Sequence, residues 1–104
     1  MRRYTTPTVT IKIKDLNLAG MKTFVTFKQG KTILFTREDL VFTETETGSQ
    51  AVATLTQEET GAFNTTERVK IQVRFIDENG DAGATNIVSV DMKPVLMEGV
   101  ISYG

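Results

Sequence analysis

Strict alternation of apolar and polar residues constrains this chain more than any other feature. Val9, Ile11 and Ile13 alternate with Thr10, Lys12 and Lys14, and Val69, Ile71, Val73 and Phe75 alternate with Lys70, Gln72 and Arg74. Successive side chains of a strand point to opposite faces, so each run predicts a strand with one face buried and one wet. A slip of one residue would turn the whole apolar set into water, which specifies the register. Residues 21–28 repeat the pattern, with Thr23, Val25 and Phe27 on one face and Lys22, Phe24, Thr26 and Lys28 on the other. Roughly one residue in six is threonine, and with Val, Ile and Phe it gives the composition favoured on pleated surfaces.

Turn signals divide the remaining sequence. Pro7 lacks a donor and holds Thr6 extended, which suits the start of a strand over Thr8–Lys14. Residues 15–20 read as a corner with Leu16 and Leu18 folded onto the core and Gly20 free to take positive φ. Gln29-Gly30-Lys31 turns the second strand into a third over residues 32–36, and Arg37-Glu38-Asp39 forms a polar corner. Thr47-Gly48-Ser49 predicts a hairpin between strands over 40–46 and 50–56. One short helix is expected over residues 57–63, capped by Thr56, with Glu58 and Glu59 in its first turn and Gly61 and Asn64 closing it. The strand over 67–76 then turns through Asp77-Glu78-Asn79-Gly80-Asp81 into a return strand over 85–93, with Val88, Val90 and Met92 inward and Pro94 as its stop. The apolar residues Val95, Leu96, Val100 and Ile101 predict that the tail docks as an arm or a last strand. These signals amount to an all-β antiparallel sandwich of about seven to eight strands with one short helical turn. At 104 residues the chain supports one domain, residues 1–104, around one core.

Charge and residue types narrow the chemistry. Twelve basic and thirteen acidic residues nearly cancel, so no long-range field favours nucleic acid or an anionic membrane. No run approaches the roughly eighteen apolar residues of a membrane helix, and the basic start Met1-Arg2-Arg3-Tyr4 leads into Thr and Pro rather than a signal-peptide core. Without Cys the fold needs neither an oxidising compartment nor a thiolate site, which fits synthesis in the cytoplasm. Without His or Cys there is no catalytic triad and no conventional zinc site. The carboxylate pairs Glu38/Asp39, Glu44/Glu46 and Glu58/Glu59 could serve acid–base hydrolysis only across a sugar-binding cleft, which eight aromatics and no Trp make a poor expectation.

Asp77, Asn79 and Asp81 begin like a calcium loop, but Ala82 stands where its glycine belongs and Val88 where its bidentate glutamate belongs; a polar hairpin turn is the better reading. The expectation is therefore a non-enzyme with no catalytic, metal or cofactor site. Bases gather in the first third and acids between Glu38 and Glu67, which predicts a solvated surface or two unlike faces that join copies. Phe24, Phe42, Ile76 and Ile87 lean outward from their strands and read as a second core layer or an association patch.

Several segments carry a resemblance: Arg3-Tyr4-Thr5-Thr6-Pro7-Thr8, Leu55-Thr56-Gln57-Glu58-Glu59-Thr60 with Phe63, Val69-Lys70-Ile71-Gln72-Val73-Arg74, and Glu98-Gly99-Val100-Ile101. Together they resemble a family of short proteins encoded among tail and baseplate genes of phages and prophages of Gram-positive gut bacteria. More distantly, the strand pattern is similar to the immunoglobulin-like amino-terminal domain of siphophage upper baseplate proteins. The resemblance implies a structural or assembly protein of a virion, a possible homo-oligomer made in the bacterial cytoplasm, with copies of itself or other tail and baseplate proteins as partners. It brings no active site. A small carbohydrate-binding or adhesion module is the alternative, and only Tyr4, Tyr103 and a few Phe could form its platform.

Overall fold

The alternating runs become two antiparallel sheets. The computed structural model describes residues Met1–Gly104, with strands β1 (Thr8–Lys14), β2 (Lys22–Gln29), β3 (Thr32–Arg37), β4 (Thr43–Glu44), β5 (Gly48–Thr54), β6 (Val69–Ile76), β7 (Ala82–Ala84) and β8 (Val88–Val90), and one helix, α1 (Gln57–Gly61). One sheet has the order β1-β5-β4; the other has the order β3-β2-β6-β7, with β8 also on β6. Immunoglobulin sandwiches pair strands A, B, E and D in one sheet against C, F and G in the other, and some add a C′ strand beside C. Here β1, β5 and β4 stand as B, E and D, and β3, β2, β6 and β7/β8 as C′, C, F and G. The immunoglobulin-like sandwich is thus present without its A strand.

Thr23, Val25 and Phe27 of β2 and Val69, Ile71 and Val73 of β6 are buried, as their alternation dictates, opposite Ile11, Ala51 and Ala53 of the other sheet. Phe27 stacks on Phe35 with centroids 4.5 Å apart, and Phe63 beyond α1 tilts against both rings at 6.3 and 5.5 Å. Such aromatic contacts add to the burial of area that drives the sandwich shut. Thr56 caps α1: its hydroxyl accepts the Glu59 amide while the Glu59 carboxylate accepts the Thr56 amide, a capping box that starts a helix of only five residues.

Five expectations need correction. Residues 40–46 are not one strand; only Thr43–Glu44 pairs, while Leu40 and Phe42 plunge into the core from the crossover between the sheets. The hairpin turn lies one step earlier than Thr47-Gly48-Ser49, because Gly48 and Ser49 already pair with Lys14 and Ile13 in β5 and the Thr45 amide reaches the Gly48 carbonyl. A side chain at Gly48 would collide with the Ile13 carbonyl, so glycine permits this pairing. The helix ends at Gly61, short of residue 63.

The return strand over 85–93 is instead two short strands. Ala84 faces Arg74 and Val88 faces Ile71, so three residues, 85–87, oppose two, a bulge. Thr85 fills it: its amide donates to the Val73 carbonyl and its hydroxyl accepts the Val73 amide, and so Val88 and Val90 face inward opposite Ile71 and Val69. Gln29, assigned to a turn by its sequence, is the buried last residue of β2; its side chain donates to the Asn64 and Glu67 carbonyls and accepts the Asn64 amide.

Candidate functional site

The two flanks of the sandwich are built differently. On the β3/β4 flank the crossover passes between the sheets, its Leu40 and Phe42 buried. Arg37 straps it down, donating to Asp39 at 2.7 Å, to Glu59 at 3.1 Å and to the Thr54 carbonyl at 3.3 Å. The hydrogen bond from Arg37 holds the Asp39 carboxyl below the usual carboxylate range, and the bond to Asp39, with Glu59 adding its charge, pushes the guanidinium pKa further up. Asp39 and Glu59 are therefore structural partners of one arginine.

On the β1/β8 flank no segment crosses. Leu55 donates to the Pro7 carbonyl and Asp15 to that of Thr47, which fixes the alternation along β1. Val9, Ile11 and Ile13 bond toward β5, whereas Thr8, Thr10, Lys12 and Lys14 aim their amides and carbonyls at the free edge. Between this edge and β8 lies a slot of about 190 Å³ walled by Val9, Ile11, Ile13, Val88 and Val90 and floored by Ile71. Val88 is 56% exposed although it faces the core.

Only one end of this flank is covered. The Lys93 amide donates to the Met1 carbonyl and the Arg3 amide to the Lys93 carbonyl, so Arg2 runs parallel to Lys93. Residues 1–3 thus begin the missing A strand along the extension of β8. They then leave it through Tyr4, an aromatic residue at φ 55, a left-handed conformation that costs on the order of 1–3 kcal/mol and persists only where its surroundings enforce it.

That turn sits at a pole where distant segments meet. The Arg3 guanidinium bonds the Glu98 carboxylate at 2.6 Å and the Gly61 carbonyl at 2.8 Å, and lies 5.0 Å from the Tyr4 ring. Its buried Nε has no acceptor. The Thr60 hydroxyl accepts the Thr5 amide and donates to its carbonyl, and Gln57 exchanges two bonds with the backbone of Ile101. Val95 is half-buried, whereas Leu96, Met97, Val100, Ile101 and Tyr103 are exposed. The arm expected from the sequence docks, but most of its apolar side chains face solvent.

The other candidates disperse. Asn17 donates to Glu44, and the Asp77 carboxylate accepts the amides of Asn79 and Asp81, closing the hairpin turn. Phe42 belongs to the core, Ile87 is exposed, and Phe24 and Ile76 line a shallow groove of about 630 Å³ with Lys22, Arg74, Thr26 and Thr36 on the outer face of the larger sheet. That face carries Lys22, Lys28, Lys70 and Arg74, none of them ion-paired, with Lys28 directly opposite Lys70. The bases there come from two separate segments, residues 22–28 and 70–74. Sequence reading missed the pole, since nothing local joins Arg3 to Gly61. It also missed the bulge, whose one signal was the polar Thr85-Asn86 step interrupting an apolar run.

No helix is long and apolar enough to cross a membrane. Comparison with protein-family models, curated proteins and solved structures finds no match to this chain.

Proposed function

We propose that this chain is a non-catalytic assembly module, a structural protein of a phage or prophage tail or baseplate that joins copies of itself or neighbouring tail proteins. One observation carries the reading: a sandwich that lacks its A strand leaves an unpaired edge beside an apolar slot on one flank. An unpaired edge of this kind is a template for another chain, and single-chain proteins usually blunt or cover it. The virion assignment rests on the resemblance, and three of the segments that carry it, around Arg3, Gln57 to Thr60, and Glu98 to Ile101, converge on one pole. Shared residues gathered where the termini meet the helix suit a joint between subunits better than a dispersed surface would.

Light scattering after size exclusion, over a hundredfold range of concentration, tests this reading, with pull-down by tail and baseplate proteins of the kind the resemblance implies as a second arm. Self-association or capture by one of those proteins is expected. A monomer at every concentration that none of them captures sinks the reading.

A carbohydrate-binding module is the second reading, favoured by the Phe24 groove with its flanking Lys22, Arg74 and threonine hydroxyls. Tyr4 is covered by Arg3 and Gly61 and offers no platform. Glycan titration with Phe24→Ala as control separates the two readings, since only this one expects shifts confined to the groove.

A further inference from the structure

Resting on the assembly reading, we infer that the slot between β1 and β8 receives the tail of a second copy, residues 95–104, as the missing strand of the sandwich. The slot and the tail are both unpartnered, and each supplies what the other lacks. The slot needs one strand: Thr10 and Lys12 offer backbone groups along the edge, and seven of the eleven lining residues are aliphatic. The tail is a strand's length of chain whose Leu96, Met97, Val100, Ile101 and Tyr103 lie in water, half of all the large apolar residues exposed on the surface.

Extended, the tail sorts its side chains by the period of two. Val95, Met97, Gly99, Ile101 and Tyr103 fall on one face, which is wholly apolar; Leu96, Glu98, Val100 and Ser102 fall on the other, which is mixed. The outward face of β1 beside the slot carries Lys12 and Lys14, neither in an ion pair, so Glu98 meets opposite charge when Met97 and Ile101 point inward. Gly99, now at φ 104, can become extended without side-chain hindrance.

A second copy rather than the same one is the donor, because residues 1–3 pair with Lys93 and occupy the place where the chain would have to double back into its own slot; on donation the tail exchanges its bonds to Arg3 and Gln57 for those along the partner's edge. Slot and tail are different surfaces, so the contact is heterologous and propagates head to tail into a ring or a filament.

A mixing experiment with the full chain tests this. Val88→Lys spoils the slot and leaves the tail intact; Met97→Asp with Ile101→Asp spoils the tail and leaves the slot intact. All three sites are exposed, so each variant should keep its fold, checked by circular dichroism and thermal melting. The native chain should self-associate, and each variant alone should associate about tenfold more weakly or less, the loss of at least one buried apolar side chain. Mixed together, the variants should form a one-to-one dimer that does not grow, since only one slot and one tail remain.

Amide exchange gives a second reading: Thr10 and Lys12 should gain protection on association of the native chain. Either variant associating like the native chain, or a mixture that fails to pair, overturns the slot and tail contact while the assembly reading survives. A native monomer with Thr10 and Lys12 already protected places the tail in its own slot and overturns the second copy. A native monomer without that protection overturns the contact too, and the partner pull-down then decides whether assembly stands.

Discussion

The β3/β4 flank and the β1/β8 flank enclose the same core with opposite means. The first is shut by chain: Leu40 and Phe42 fill the space between the sheets, and Arg37 ties the crossover to Thr54 and Glu59. At the second, Val9, Ile13 and Val88 are left partly in water, and four residues of β1 hold backbone groups toward an empty edge. A small sandwich has too little buried surface to leave a flank open at no cost. The difference therefore teaches which flank the chain closes by itself and which it leaves open.

Stability measurements can break that comparison outright. Phe42→Ala should lose about 3–5 kcal/mol, the cost of emptying a buried aromatic site, whereas Val88→Ala in dilute protein should lose under about 1 kcal/mol, most of that side chain being in water already. Urea unfolding midpoints measure both, and equal losses would mean that the two flanks are alike. Gly83 sharpens the picture from within the open side. A Cβ there would come within 2.6 Å of the Phe75 ring, so Gly83→Val should cost about 1–3 kcal/mol by overpacking, showing that the β7 end is tightly built although the slot beside β8 is not.

Exchange of amide hydrogens gives a finer test, residue by residue. In dilute protein Thr10 and Lys12 should exchange much faster than Ile11, whose amide bonds toward β5, while no such alternation is expected along β2, paired on both sides. The smallest effect belongs to the strap. Asp39 titrates below its unfolded value, so its contribution is present above the ordinary carboxylate range and is lost as pH falls through the lowered folded value. Asp39→Asn should flatten that acid limb and change neutral-pH stability by no more than about 1 kcal/mol, since Asp39 is largely exposed. A larger loss would make the crossover depend on its strap rather than on Phe42.

Salt separates two modes of joining. Contact through the slot is apolar and should persist at high salt, whereas contact through the four unpaired bases on the outer face of the larger sheet should weaken.

Much of the fold was legible in the chain. The inward faces of β1, β2 and β6 follow from alternation, a property of neighbours in sequence, and Thr56 with Glu59 announced the helix start. The crossover was misread as strand because Leu40, Phe42 and the threonines alternate too, and only the second sheet decides whether such a segment pairs or plunges. The candidate site was scarcely legible. Lys12 and Thr10 read as ordinary outward residues, and their free backbone groups exist only because no strand took the place beside them.

By itself, then, the sequence determined that β1, β2 and β6 are strands, which side of each is buried, and that no His or Cys chemistry is available, because these depend on residue type and spacing of two. Tertiary structure alone decided that the A strand is missing, that a bulge at Thr85 aims Val88 inward, and that Arg3, Gly61 and Glu98 meet. Those outcomes rest on contacts between residues tens of positions apart, and no local pattern encodes which edge is left without a neighbour.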